Sequence, residues 1–118
     1  DPRSLPLTDN VRRNLDGLAA LGLTVNISEM DVPVGEIPGD LPAKLARQAE
    51  IYTDLVGVCL GHAACDGVTF WGFTDKYSWL NDPQHGMWKG RLPHHPLLFD
   101  AAYQPKPAYT ALLGVFAR

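Results

Sequence analysis

The sequence predicts an α/β fold in which parallel strands alternate with amphipathic helices. Apolar residues recur at helical spacing in three segments, and two short stretches rich in β-branched and aromatic residues lie between them. The resulting order is helix, strand, helix, strand, long loop, helix, and strands separated by helices in this way run parallel. The 118 residues suffice for one domain, and 46% apolar against 19% charged residues favours a folded chain.

The first helix and strand are predicted over Asp9–Leu21 and Leu23–Glu29. Thr8 suits the N-cap of this helix, and Gly22 suits its C-terminal stop. The apolar positions at helical spacing are Val11, Leu15, Leu18 and Ala19. The strand follows the helix at once, which is typical of an αβ unit.

The second helix is predicted over Leu41–Cys59, after a loop rich in Pro and Gly, "VPVGEIPGD". Asp40 can cap this helix, and Pro42 lies in its first turn. Its apolar stripe consists of Leu45, Ala49, Tyr52, Val56 and Cys59. A second strand is expected over Gly67–Phe73.

A long irregular segment, Thr74–Asp100, separates the second strand from a final helix in "PKPAYTALLGVF". The apolar face of that helix is predicted to contain Tyr109, Leu112, Leu113 and Phe116. Two strands alone leave both outer edges of a parallel sheet unpaired. The irregular segment is too long for a simple connection, and α/β folds keep their sites in loops after the carboxyl ends of strands.

Glu29 is the first candidate for chemistry, because it ends the first strand as a carboxylate on a rigid support. Strand alternation places it on one face with Val25 and Ile27, and in a barrel that face could point inward. A solvated acid, or one arm of an ion pair, is the alternative interpretation.

Trp71 and Trp79, in "FWGFTDKYSWL", are candidates for binding a sugar ring. An indole can lie against the C–H face of a pyranose while its N–H reaches a hydroxyl. Trp79 follows a polar stretch, which favours exposure. Burial of both side chains in the core is the alternative, and it is the commoner fate of Trp.

The composition and motifs argue against several classes of partner and ligand. The net charge is −3 and no basic run occurs, so we expect no nucleic-acid partner. No apolar run approaches a membrane span, and "DPRSLPLTDN" lacks a secretory signal pattern. We expect no metal and no cofactor, since no metal-binding spacing or phosphate-binding loop occurs. The histidines are predicted to lie on the surface; they are His62, His85, His94 and His95.

The two cysteines, Cys59 and Cys65, enclose "CLGHAAC". Their spacing matches neither a CxxC redox pair nor half of a zinc site. A local disulfide and two buried free thiols both remain open from spacing alone. The disulfide would fit a secreted protein.

Three motifs together resemble the glycoside hydrolase family 10 endo-β-1,4-xylanases. "VNISEMDV" is similar to the nucleophile motif of that family, and "GVTFWGFTDKYSWL" is similar to its eighth-strand motif with paired tryptophans. "PLLFDAAYQPKPAYTAL" resembles the C-terminal segment. The three motifs occur in the family's order, and the resemblance covers essentially the whole chain.

The resemblance implies a (β/α)₈ barrel, a fold of ~250 residues. Residues 1–118 would be a partial catalytic domain, running from about the sixth helix to the eighth helix. Many members carry a disulfide just before the eighth strand, which implies a Cys59–Cys65 bond and an extracellular protein.

The resemblance also implies roles for single residues. Glu29 would be the nucleophile of a retaining double displacement, and Trp71 and Trp79 would line the sugar subsites. Asp31 would order the turn beneath Glu29 rather than react. Asp75 and Lys76 would shape the loop after the second strand.

One catalytic group is expected to be missing from the chain. The family carries its acid/base glutamate in an Asn-Glu motif after the fourth strand, and no Asn-Glu occurs here. We therefore expect little or no xylanase activity from this chain alone, and either self-association or pairing with an N-terminal barrel portion. Two alternatives remain: a non-catalytic remnant that binds xylan or xylo-oligosaccharides, and a partial chain of a complete enzyme.

Overall fold

A computed structural model describes residues 7–82, 84 and 93–117. The helices are α1 (Leu7–Ala20), α2 (Leu41–Leu60) and α3 (Pro107–Phe116), and the strands are β1 (Val25–Met30) and β2 (Cys65–Phe70). Their order is the predicted one. Two boundaries differ in ways that matter: Thr8 lies inside α1 rather than at its N-cap, and β2 ends at Phe70, before Trp71.

The two strands pair in parallel, and their register shifts twice, between Val25 and Asn26 and again between Ile27 and Met30. Ile27 pairs with Val68 and Met30 pairs with Phe70, so β1 holds one more residue than β2 over this interval. This β-bulge changes which residues point to which side. Ile27 and the buried Met30 pack on the helices, whereas Glu29 is exposed. The prediction that Glu29 shares a face with Val25 and Ile27 is therefore wrong.

The main core lies between the sheet and the helices α2 and α3. Tyr52 is fully buried, and its ring meets that of Phe70 edge-on at a centroid distance of 5.9 Å. The cluster's buried members are Met30, Val32, Ala49, Tyr52, Val56, Ala108, Leu112 and Val115.

The buried face of α3 differs from the predicted one. Ala108, Leu112 and Val115 are buried, whereas Leu113 and Phe116 are exposed. Both sets have helical spacing, and contact with α2 and the sheet decides between them.

A disulfide joins Cys59, near the end of α2, to Cys65 at the start of β2, with the sulfurs 2.08 Å apart. The pairing implied by the family resemblance is confirmed. Within the enclosed loop, His62 Nδ1 accepts a hydrogen bond from the Ala64 amide. The opposite ring nitrogen, Nε2, can therefore donate to Asp16 Oδ1 on α1, 2.8 Å away. The loop thus connects α1 with α2 and β2.

A buried ion pair joins the loop after β2 to the start of α3. Lys106 Nζ lies 2.9 Å from Asp75 Oδ2, and each side chain is only 3% exposed. Lys106 Nζ also donates to the carbonyl oxygens of His95 and Leu97 at 2.6 Å. The second carboxylate oxygen, Asp75 Oδ1, accepts from the Leu97 amide at 2.7 Å. Each charge thus has the other as its ionic partner and hydrogen bonds to the backbone besides, and burial of an ion pair is tolerated only with such partners.

The prediction of surface histidines is wrong for His94, which is buried. His62 and His95 are partly buried, and His85 lies outside the described residues. The segment containing His94 is drawn inward because its backbone bonds to the core: the Val34 amide donates to His94 O. The Tyr52 hydroxyl donates to Pro96 O at 2.6 Å. Burial raises the pKa of the Tyr52 phenol, so this donor keeps its proton.

Replacing Lys106 with Met is expected to lower the free energy of unfolding by about 3–5 kcal/mol, because it leaves the Asp75 carboxylate buried without its counter-charge. Urea denaturation followed by circular dichroism measures the effect. The matched control is Arg12→Met, which breaks an exposed ion pair with Asp9 and should cost less than about 1 kcal/mol. Adding Asp75→Asn to Lys106→Met should recover part of the loss. Equal effects of Lys106→Met and Arg12→Met would contradict the structural role of the pair.

Candidate functional site

Glu29 and Trp71 lie at the same edge of the sheet. The strands are parallel, so their carboxyl ends meet there. The Trp71 amide donates to Met30 O at 2.9 Å, which fixes the backbone after β2 beside the end of β1. Glu29 is exposed, and Trp71 is 46% exposed. A carboxylate and an indole are thus both available to a ligand at this edge.

Trp79 is brought to this edge by a hydrogen bond to the residue that follows β1. Its indole Nε1 donates to Asp31 Oδ2 at 2.8 Å, and its side chain remains 36% exposed. The predicted exposure of Trp79 agrees with the structure, and the alternative of two tryptophans buried in the core is wrong. The carboxylate of Asp31 holds Trp79 through this hydrogen bond, and the expected role of Asp31 in ordering the turn beneath Glu29 stays a prediction. The two are 48 residues apart in the chain.

Asp31 is partly buried, unlike the exposed Glu29. Burial raises the pKa of its carboxyl above the ordinary value of 3.8, and the hydrogen bond from Trp79 opposes that rise. The charge of Asp31 therefore depends on the contact with Trp79.

The loop that carries Trp79 is built on Asp75. Two short 3₁₀ turns, Asp75–Tyr77 and Trp79–Asn81, follow β2. Asn81 Nδ2 donates to Asp75 O at 3.0 Å, and Asn81 Oδ1 accepts from the His94 amide at 2.9 Å. These bonds anchor both turns to the buried ion pair. The expectation that Asp75 shapes this loop agrees with its contacts.

Gly72 separates Trp71 from the rest of the loop. Its φ is +132°, and a Cβ built on it would meet Leu97 Cδ1 at 2.8 Å. Only glycine avoids both the backbone strain and the clash. The chain can therefore turn sharply after Trp71 while Leu97 packs beneath it.

Sequence reasoning missed the partner of Asp75. Lys106 lies between two prolines in the chain, and nothing in "PKP" distinguishes a buried lysine from an exposed one. The burial of Lys106 depends on tertiary structure, because its partner Asp75 lies 31 residues earlier in the chain.

Within residues 7–82, 84 and 93–117, no group of three or more potential ligand side chains is arranged to hold a metal ion. None of the helices in those ranges has the length and apolarity needed to cross a membrane.

Comparison with known proteins gives a consistent family. Residues 4–115 match the model of glycosyl hydrolase family 10. The chain is 41% identical to endo-1,4-beta-xylanase B of Thermotoga neapolitana over 106 residues, which are 88% of this chain and 28% of that enzyme.

Two solved structures are similar in fold. Xylanase 10B from Thermotoga petrophila RKU-1, in complex with xylobiose, superposes with a TM-score of 0.80 at 43% identity, over 95% of this chain and 32% of that one. A mutant of Xylanase10C from Cellvibrio japonicus, in complex with xylopentaose, superposes with a TM-score of 0.79 at 28% identity, over 93% of this chain and 24% of that one. The chain thus spans about a quarter to a third of the length of these relatives.

The Trp79 indole N–H should report the ionisation of Asp31 in an NMR titration. We expect its resonance to move with a midpoint above pH 3.8, because burial raises the pKa of the Asp31 carboxyl. The folded chain then binds this proton more tightly than the unfolded chain, so stability from Asp31 declines as pH rises through that interval. Asp31→Asn should abolish the titration, and Glu29→Gln should leave it intact. A midpoint at or below 3.8 would contradict the assignment.

Proposed function

Because this chain belongs to glycosyl hydrolase family 10, we propose that it is the nucleophile-bearing part of an endo-β-1,4-xylanase. One observation carries the proposal: the Asp31–Trp79 hydrogen bond holds an exposed indole beside the strand end that presents Glu29. A carboxylate next to exposed aromatic rings is suited to a sugar substrate. The relatives named as xylanases support the same substrate class.

We place the chain in the last third of a (β/α)₈ barrel, with α1, α2 and α3 as its sixth, seventh and eighth helices. Residues 1–118 then form a partial catalytic domain. The parallel pair of strands and the similarity to xylanase structures support this placement.

The proposed reaction is double displacement with retention of configuration. A Glu29 carboxylate oxygen attacks the anomeric carbon, and the bond from that carbon to the departing sugar oxygen breaks. The departing oxygen takes a proton from a second carboxyl group about 5–5.5 Å away. Water activated by that second group then releases the glycosyl group from Glu29. Trp71 and Trp79, both on the loop after β2, line the sugar subsites.

The second carboxyl group must come from elsewhere, since the family places it in an Asn-Glu motif that this chain lacks. General-acid assistance contributes about 10²–10⁴ in rate, so the chain alone should turn over xylan slowly or not at all. We propose that it pairs with an N-terminal barrel portion or with another copy of itself. The exposed Leu21 and Leu23, just before β1, support such a contact.

We also propose that the protein is extracellular. The Cys59–Cys65 disulfide supports this, because such bonds persist in oxidising compartments.

Trapping of the nucleophile tests the role of Glu29 without the missing acid. A dinitrophenyl 2-deoxy-2-fluoroxylobioside releases dinitrophenolate, a leaving group that needs no proton. We expect mass spectrometry to find one fluoroxylobiosyl group esterified to Glu29, and labelling should accelerate when the N-terminal portion of a related xylanase is added. Glu29→Gln should remove the label, whereas Glu36→Gln, at another exposed acid, should not. A label on any other residue would overturn the assignment.

Binding without turnover would favour the second candidate, a remnant that only binds xylo-oligosaccharides. Its supporting observation is the exposure of Trp71 and Trp79 in a chain that lacks the acid/base motif. We expect Trp79→Ala to weaken xylo-oligosaccharide binding about tenfold in calorimetry, by analogy with nucleic-acid bases, whose stacking on an aromatic side chain contributes about 1–3 kcal/mol. If Glu29→Gln leaves binding unchanged and no assembly with an N-terminal portion restores hydrolysis, the remnant is the better description.

A further inference from the structure

Two of the four tyrosines in the chain are exposed and close to each other. Tyr77 is 72% exposed, and Tyr103 is 47% exposed. The other two are packed: Tyr52 is fully buried, and the ring of Tyr109 contacts that of Phe99 at a centroid distance of 4.8 Å. Tyr77 and Tyr103 are thus the phenol rings most open to a reagent in solution.

The side chains of Tyr77 and Tyr103 meet at their hydroxyl groups. A hydrogen bond between them is the main cause that lowers the pKa of the Tyr77 phenol, and the ammonium of Lys76 lowers it further. Lys76 Nζ lies 5.4 Å from the centroid of the Tyr77 ring and 5.9 Å from that of Tyr103, so the two rings flank one cation. Tyr77 therefore ionises more readily than an ordinary tyrosine, and a phenolate gives up an electron more readily than a phenol.

The backbone segments that carry the two tyrosines are held together by Thr74 and Asp100. The Tyr77 amide donates to Thr74 O at 3.1 Å, and the Tyr103 amide donates to Asp100 O at 3.0 Å. The Thr74 hydroxyl donates to that same Asp100 oxygen at 2.6 Å. One chain of hydrogen bonds thus links the two tyrosines through their backbones, so the fold itself sets the spacing of their rings.

Tyr103 is held in a conformation that bulky residues rarely adopt, with a φ of +61°. Asp100 Oδ1 supports this conformation by accepting from the amides of Ala102 and Gln104 at 2.9 Å. The Phe73 ring stacks on the Tyr103 ring, with centroids 6.1 Å apart and planes 22° from parallel. Backbone and ring contacts together keep the Tyr103 side chain at the surface.

We propose that Tyr77 and Tyr103 form a site of oxidative cross-linking, in which a carbon–carbon bond joins their rings. The oxidant is hydrogen peroxide acting through a haem peroxidase. Each phenol gives up one electron and one proton, and the peroxide takes both electrons and both protons to become two water molecules. The two phenoxyl radicals join through the ring carbons next to their hydroxyls, and the hydrogen on each of these carbons moves to the oxygen, which restores both phenols.

The cross-link fixes the loop that carries Trp79. Tyr77 lies two residues before Trp79, and the new bond ties it to Tyr103, in the segment before α3. A covalent bond between distant residues stabilises a fold by restricting the unfolded chain. The inference goes beyond the proposed function and does not depend on it, because oxidative coupling needs neither Glu29 nor a sugar.

Treatment of the dilute chain with hydrogen peroxide and a haem peroxidase tests the proposal. We expect dityrosine fluorescence, a monomer whose mass is lower by two hydrogen atoms, and one cross-linked pair of tryptic peptides that contains Tyr77 and Tyr103. Tyr77→Phe and Tyr103→Phe should each remove the cross-linked pair, because phenylalanine has no phenol to oxidise. Tyr109→Phe is the matched control and should leave the yield unchanged.

The melting temperature reports the effect on stability. The treatment should raise that of the chain by about 4 °C or more and leave that of Tyr77→Phe unchanged, since this variant meets the oxidant but cannot form the bond. Equal shifts in the two proteins would overturn the stabilising role. Absence of the cross-link overturns the proposal itself, and so do covalent dimers in its place, a cross-link that persists in Tyr77→Phe, or oxidation confined to Trp71 and Trp79.

Discussion

The buried ion pair between Asp75 and Lys106 is the contact on which the candidate site depends. One carboxylate oxygen of Asp75 pairs with the Lys106 ammonium and the other accepts from the Leu97 amide, and the Asp75 backbone carbonyl accepts from Asn81. Through these bonds one residue fixes the start of the loop after β2, the extended segment before α3 and the second 3₁₀ turn. Because a half-satisfied buried charge is costly, these three segments are held together as a unit. Trp79 lies within that unit, so its position beside Asp31 depends on the ion pair between Asp75 and Lys106.

The bulge in β1 is the second constraint, and it acts on Glu29 directly. Without the extra residue, the alternation of β1 would turn Glu29 toward the same side as Ile27, which packs on the helices. The bulge inserts one residue, so Met30 fills the core and Glu29 is exposed at the carboxyl edge. Bulges recur next to active sites for this reason, since they redirect one side chain without ending the strand pairing.

The chain combines a well-packed interior with surfaces that an independent domain would cover. Tyr52, Val56 and Ala108 are fully buried, and the disulfide closes the loop between α2 and β2. The sheet, however, has only two strands within the described residues, and leucines around β1 remain exposed. A sheet this small has two open edges, a condition that favours association with further strands. This balance is what a section of a larger barrel would have.

The sequence by itself determined the order of elements, the parallel pairing and the family. Local spacing is enough for these, because helical and strand periodicities are properties of neighbouring residues, and three motifs in order identify a family. It also selected Glu29, Trp71 and Trp79, as well as the cysteine pair. Only the tertiary structure decided which residues lie on the same face and which charged residues form pairs. The exposure of Glu29 depends on pairing with β2, the buried face of α3 depends on α2, and the burial of His94 and Lys106 depends on partners distant in the chain. Such contacts leave no periodic signal, since they are made by residues that the fold alone brings together.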